Sequence, residues 1–167
     1  MRPDASSPPP SPFLDLPRDE WICVDEHCFA IYDRFPVSPG HVLVITHRVV
    51  PTFFDCTNDE KNSLMAMVSI VKAMLDTRLK PKPDGYNVGF NAGAAAGQTV
   101  PHVHVHVIPR YSGDMPDPRG GVRHVIPEKG NYLAGPAASP RLSLTTGPDR
   151  PLWPQLADRL PGASEID

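Results

Sequence analysis

Cysteine is scarce in this 167-residue chain, and the three present, Cys23, Cys28 and Cys56, are odd in number. That argues against a disulfide framework and for a reducing, cytoplasmic setting. Long apolar runs are missing as well. Nowhere do about 18 consecutive apolar residues occur, so no membrane span is expected. The opening MRPDASSPPPSP has no apolar stretch after its arginine and does not read as a secretory signal. Basic charge is in deficit. The net charge is -3 at pH 7, which removes the global basic field of a nucleic-acid binder but leaves room for a local phosphate site. Internal repeats are lacking too.

Proline, by contrast, is plentiful: the 22 prolines gather at the ends and in loops. Residues 1–12 form a Pro/Ser segment expected to be disordered. Residues 134–167 read as a Pro/Gly-rich tail or linker, with a candidate short helix over 151–160 carrying Leu152, Trp153, Leu156 and Leu160 on one side. The alternative is the opening of a further domain. Residues 13–133 are left as the folded unit.

Within it, residues 21–25 and 28–33 are β-branched or aromatic and flank a turn at Glu26-His27. Residues 41–46 are a third strand with a near-continuous apolar run. Thr57 followed by Glu60 is a capping box, and Leu64, Met67, Val68, Val71, Met74 and Leu75 recur at helical spacing as a core stripe. The segment KPKPDG stops that helix. Residues 86–92 are a fourth strand, and residues 102–108 a fifth that Pro109 ends. Strands with hairpin-length links and one long helix predict an α+β fold: a five-stranded antiparallel sheet with the helix packed on it.

The fifth strand reads HVHVHVI. Side chains alternate along a strand, so His102, His104, His106 and Ile108 share one face, and Val103, Val105 and Val107 the other. Adjacent imidazoles stand about 6.5–7 Å apart along the strand. With seven histidines in the whole chain, three at alternate positions are not a compositional accident. A solvated face, a metal site and a reaction centre all remain readings of the pattern. Zinc would need further ligands, and Cys23 and Cys28 have four residues between them instead of the two of a zinc-binding pair. The preceding Gly93-Ala94-Ala95-Ala96-Gly97 loop, with Gln98 and Thr99, offers backbone N–H groups and a hydroxyl to an anion. A phosphate beside imidazoles allows one neutral ring to attack phosphorus while a protonated neighbour stabilises charge or assists the leaving oxygen.

The stretches FPVSPGHVLVI, NVGFNAG, AGQTV and HVHVHVI together resemble the histidine triad (HIT) superfamily of nucleotide hydrolases and transferases. They are most similar to its fragile-histidine-triad, dinucleoside polyphosphate hydrolase branch. The resemblance spans residues 13–133. It implies that His104 attacks the α-phosphorus, that His106 bonds phosphate oxygens and the bridging oxygen, and that His102 orients His104 through a backbone carbonyl. It further implies phosphate and leaving-group contacts from Asn91, Gln98 and Thr99, a backbone N–H from Gly97, ribose binding by Asp33, and His41 lining the nucleotide site. Ile31 and Leu43 would contact adenine. Arg110, next to the strand end, is a candidate for distal phosphates. Histidine at the third triad position, where transferases of the family carry glutamine, implies hydrolysis. Zinc occurs in some members through an N-terminal cysteine pair and a histidine near His47.

The expectation is therefore a cytoplasmic nucleotide hydrolase that cleaves a purine dinucleotide such as a diadenosine polyphosphate at the α-phosphorus and releases AMP. It would act as a homodimer, with no nucleic-acid or membrane partner. No cofactor is required, although a divalent cation can accompany a polyphosphate substrate. The alternatives are a purine nucleoside phosphoramidate hydrolase, a non-catalytic nucleotide-binding module of a larger protein, and a zinc protein using His47, His102 and a cysteine.

Overall fold

The first turn is built by one carboxylate. Asp25 accepts the backbone N–H of His27 (2.9 Å) and of Cys28 (2.8 Å), which folds β1 (Trp21–Val24) back on β2 (Cys28–Tyr32). Ser63 of the long helix donates to the same carboxylate, and these bonds hold its pKa below the usual range against burial, which raises it. These features come from a computed structural model that describes residues 11–131 and residue 133. The remainder of the expected tail, with its candidate helix over 151–160, and residues 1–10 lie outside the described residues. Ser11 departs from the disorder expected of residues 1–12: it is 4% exposed, for a reason that lies in the site.

β3 (Val42–Thr46) pairs with β2, placing Leu43 opposite Ile31. The helix α1 (Asn58–Arg78) follows, capped by Thr57 and Glu60 in the reciprocal box that the sequence predicts. Glu60 is also gripped by Arg48 (2.6 and 2.8 Å), which ties the loop after β3 to the helix start. β4 (Gly85–Gly89) and β5 (His104–Arg110) complete an antiparallel sheet of order β1-β2-β3-β5-β4. The histidine strand is thus inserted between two neighbours.

The alternation of β5 separates two cores. On the helix side Val105 and Val107 join Ala30, Val42 and Val44 beneath Leu64, Met67, Val71 and Leu75. On the other side Phe29, Ile31, Leu43 and Ile45 pack with Leu16, Phe13 and Trp21. The N-terminal segment therefore covers part of the face on which the histidines stand.

Three strand limits differ from expectation by two residues or more. β4 ends at Gly89, not at residue 92, because Phe90 leaves the sheet to stack on Phe53 (ring centroids 4.5 Å apart). β5 begins at His104, since the Val103 N–H bonds Val50 (2.7 Å) in place of a strand partner. It continues through Pro109. The Pro109 carbonyl accepts the Ser38 hydroxyl (2.6 Å), so its missing N–H falls on the side where β3 has already ended, the last pair there being Val42 with Val107.

The helix stripe makes a contrast that stability measurements can check. Leu75 is 0% exposed and Ile70 53% exposed. Leu75→Ala should cost about 2–5 kcal/mol of unfolding free energy. Ile70→Ala should stay within about 0.5 kcal/mol of the parent in the same urea titration.

Candidate active site

Each triad histidine is held differently. His104 turns its Nδ1 to the carbonyl of His102, 2.8 Å away. A carbonyl only accepts, so Nδ1 carries the proton and Nε2 keeps its lone pair for the cavity. The edge of Phe13 packs on the ring (centroids 5.1 Å apart). This tautomer-fixing carbonyl is the one that the family resemblance implies.

His102 is fully buried and behind the cavity. Its Nε2 faces the Thr46 carbonyl (2.8 Å), which makes Nε2 the protonated nitrogen. Nδ1 then accepts the Ser11 hydroxyl (2.7 Å). Burial, foremost, lowers the His102 pKa, so the ring is neutral at pH 7. It is a fixed strut whose own carbonyl aims His104. Ser11 and Phe13 are the site residues that sequence reasoning missed. Ser11 lies 91 positions away in non-periodic Pro/Ser text, and nothing in that text marks it.

His106 meets a second imidazole. His41 Nε2 lies 3.0 Å from His106 Nδ1, and His41 Nδ1 lies 3.3 Å from Asp33 Oδ2. Asp33, His41 and His106 therefore form a chain. Burial, foremost, with the nearby His104 and His41, pushes the His106 pKa down to about 4. His41 is also lowered, by burial against the pull of Asp33. Both rings are neutral at pH 7 in the free protein. The protonated imidazole expected beside the nucleophile is thus not the resting state of His106; its burial opposes it.

Asp33, His41 and His106 are also the described residues close enough together to suggest a metal. One ligand atom from each lies within 4.8 Å of the others, and His41 turns its two nitrogens to different members of the group. Cys23 and Cys28 pack with the core on the helix side, and His47 bonds the Asp25 carbonyl (2.9 Å), so no cysteine joins His47 and His102 among the described residues.

A cavity of about 390 Å³ brings together Ile31, Asp33, Leu43, Thr99, His104 and His106, closed on one side by Phe13 and Leu16. A second, of about 630 Å³, holds His41, Asn91 and again His106. The small-residue loop is preformed. Gly93 and Gly97 take positive φ (87° and 83°) around the short turn Ala94–Ala96. The Gly97 N–H, expected to face phosphate, instead bonds the Ala94 carbonyl (2.9 Å). Gln98 likewise holds the loop: its Oε1 accepts from Gly93 (2.8 Å), and its Nε2 donates to Pro51 (2.6 Å) and Val100 (3.0 Å). Arg110 is not available to distal phosphates as expected, because Asp114 (2.6 and 2.7 Å) and Asn87 (2.6 Å) take its guanidinium.

Ser11→Ala would leave His102 Nδ1 buried without a donor. The expected loss is about 1–3 kcal/mol in chemical denaturation. Ser11→Thr, which keeps the hydroxyl, should recover most of it. Equal stability of the alanine variant and the parent would show that the Ser11 bond contributes nothing.

Against known proteins, the HIT domain model matches residues 18–113. The chain is 36% identical over 118 residues to an AP-4-A phosphorylase of Mycobacterium tuberculosis, a match covering 67% of this chain and 60% of that protein. It is 44% identical over 80 residues to the asymmetrical bis(5'-nucleosyl)-tetraphosphatase of Schizosaccharomyces pombe, covering 48% of this chain and 43% of the other. The chain thus spans at most 60% of the length of these two relatives. A crystal structure of a Streptococcus mutans UA159 protein superposes with a TM-score of 0.59 at 30% identity, over 68% of this chain and 73% of that one. The model match extends from just before β1 to just past β5 and takes in the whole sheet, the helix and the three histidines, so the chain belongs to the HIT domain family.

Proposed function

We propose that this protein hydrolyses dinucleoside polyphosphates, diadenosine polyphosphates foremost, at the α-phosphorus and releases AMP. One observation carries the reading: His104 has its Nδ1 proton committed to the His102 carbonyl and its Nε2 lone pair free at a cavity with Ile31, Asp33, Leu43 and Thr99. Nε2 forms a bond to the α-phosphorus as the bond to the leaving phosphate oxygen breaks, giving a nucleotidyl-histidine. Water then attacks the same phosphorus, breaks the P–N bond and returns His104. The Ile31 and Leu43 side chains seat adenine, Asp33 the ribose, and the Thr99 hydroxyl a phosphate oxygen. Asn91 stands on the leaving-group side, and Gln98 and Gly97 act by holding the loop. The names of the Mycobacterium and Schizosaccharomyces relatives support this substrate class.

A proton belongs to the chain Asp33–His41–His106 when substrate is present. Asp33 would accept from His41 Nδ1–H, His41 Nε2 from His106 Nδ1–H, and His106 Nε2–H would then donate to the bridging oxygen. We further propose that it acts in the cytoplasm as a homodimer; the three unpaired cysteines suit a reducing compartment.

His104→Asn should lower kcat by about 10³–10⁶-fold while nucleotide still binds. Acid quenching of the parent enzyme should trap an adenylylated protein that the variant never forms. Near-normal turnover by the variant would end the covalent mechanism. The name of the Mycobacterium relative makes inorganic phosphate a rival acceptor. AMP as the product in phosphate buffer supports hydrolysis; ADP in its place means phosphorolysis.

The pH behaviour has a definite sign. His106 starts at about 4, and a bound polyanion beside it raises that value. The complex then holds more protons than the free protein. Binding of a methylene-bridged dinucleotide at pH 7 should take up protons and strengthen as pH falls from 8 to 6. Calorimetry in buffers of different ionisation enthalpy measures this, and a buffer-independent heat would sink the proton-chain account.

A further inference from the structure

The contact between His41 and His106 carries a proton in the chemistry above, and it also has the spacing of a metal seat. His41 Nε2 and His106 Nδ1 lie 3.0 Å apart, with ring centroids separated by 5.2 Å. Two imidazoles on one tetrahedral ion, bonded at about 2.0–2.1 Å, hold their nitrogens about 3.3 Å apart and their centroids about 5.2 Å apart. The two rings need only pivot, not separate, to turn both lone pairs on a single ion.

Asp33 stands behind this pair. Its Oδ2 lies 3.3 Å from His41 Nδ1, the nitrogen turned away from His106, and its Oδ1 is held by the Phe35 N–H (2.8 Å). A ligating imidazole commonly donates its other N–H to a carboxylate, which fixes the tautomer and strengthens the ligand. The Val37 N–H approaches the same His41 nitrogen at 3.4 Å, the longer of the two contacts. The Asp33 contact keeps the proton on Nδ1 and leaves the Nε2 lone pair for an ion. The surroundings agree with this. His41 is 3% exposed, and no lysine or arginine lines the cavity that holds both rings, so no cationic side chain there opposes a bound cation. Other histidines are occupied elsewhere. His102 has both nitrogens satisfied by Thr46 and Ser11, and the Nε2 atoms of His47 and His124 face the Asp25 and Arg119 carbonyls.

We propose that His41 Nε2 and His106 Nδ1 chelate one divalent transition ion of the zinc type, backed by Asp33, and that the bound ion inhibits turnover. Imidazole suits zinc and cobalt, whereas magnesium prefers oxygen ligands and is not held here. The ion takes the Nδ1 position of His106, so that ring keeps a single proton, on Nε2. Giving this proton to the leaving oxygen would turn the ring into an imidazolate. In the metal-free chain the same transfer leaves the Nδ1 proton in place, and the ring ends neutral. Cleavage therefore stops, although His104 and the first cavity are untouched. The inhibitory half rests on the hydrolase reading; the seat itself does not.

Calorimetric titration of the metal-free protein with Zn²⁺ should show one saturable site per chain. His41→Gln should weaken that site by about a hundredfold and Asp33→Asn by about tenfold, while His104→Asn should bind as the parent does. Co²⁺ should give the visible bands of a tetrahedral site, which Zn²⁺ bleaches and excess Mg²⁺ does not. Turnover of diadenosine triphosphate should fall in step with those bands and return on adding EDTA. Absence of a saturable Zn²⁺ site in the parent overturns the seat. So does a site of unchanged affinity in a His41→Gln variant with the parent's circular dichroism and melting profile. Full turnover with the Co²⁺ bands fully developed overturns the inhibition. No turnover by the metal-free protein overturns the hydrolase reading and the inhibitory half with it, while the titration still decides the seat.

Discussion

The 2.8 Å bond from His104 Nδ1 to the His102 carbonyl is the constraint on which the site depends. It decides which nitrogen of His104 keeps a free lone pair, and it is only as firm as the carbonyl that makes it. That carbonyl is fixed by burying the His102 ring completely and satisfying both of its nitrogens, one from Thr46 and one from Ser11. The neighbouring Val103 N–H is tied to Val50. Four separate parts of the chain, at positions 11, 46, 50 and 102–104, thus converge on one carbonyl orientation. A buried imidazole with an unmet nitrogen would be costly, so the same bonds that aim His104 also stabilise the fold.

The three histidines look equivalent in HVHVHV and are not. Their differences come from depth. His102, before the strand begins, is sunk under the N-terminal segment and becomes a neutral strut. His104 reaches the cavity with one nitrogen. His106 sits where β4 carries glycine, so it has space on one side and His41 on the other. The valines between them are alike because they face one continuous core under α1. A period of two determines which face a side chain takes, but not how deep that face is at each position.

Legibility followed the same line. The Asp25 turn, the Thr57–Glu60 box and the Leu64 to Leu75 stripe are local patterns, and the structure contains each of them. What escaped depends on pairs distant in sequence. Ser11 acts on His102 across 91 positions, and the Asp33–His41–His106 chain joins β2, β3 and β5. Pro109 reads as a strand stop, yet β3 has ended on that side and its missing N–H costs no ladder bond. Gly97 and Gln98 were expected to meet phosphate from the family resemblance, and Arg110 from its place beside the strand end. Donors are as readily used to build a loop, and here the Ala94, Pro51 and Val100 carbonyls and the Asp114 carboxylate take part of that capacity.

The electrostatics of the site then take an unusual form for one that is to bind a polyphosphate. Arg110 is neutralised by Asp114, and Arg34, on the rim of the first cavity, is paired with Glu20 at 3.3 Å. Asp33, 3.3 Å from His41, carries a carboxyl group, whose charge would have the same sign as a polyphosphate. Asp33 itself lines the first cavity, and two neutral rings, His41 and His106, continue from it. Burial keeps them neutral until an anion arrives, because a proton on His106 without a counter-charge would be poorly solvated there. With a polyphosphate bound, one added proton lies between two negative groups, Asp33 and the phosphate, and both favour it. On the proposed reading, the acid that the leaving oxygen needs would be assembled by the substrate's own charge, and a neutral ligand filling the same cavity would not summon it.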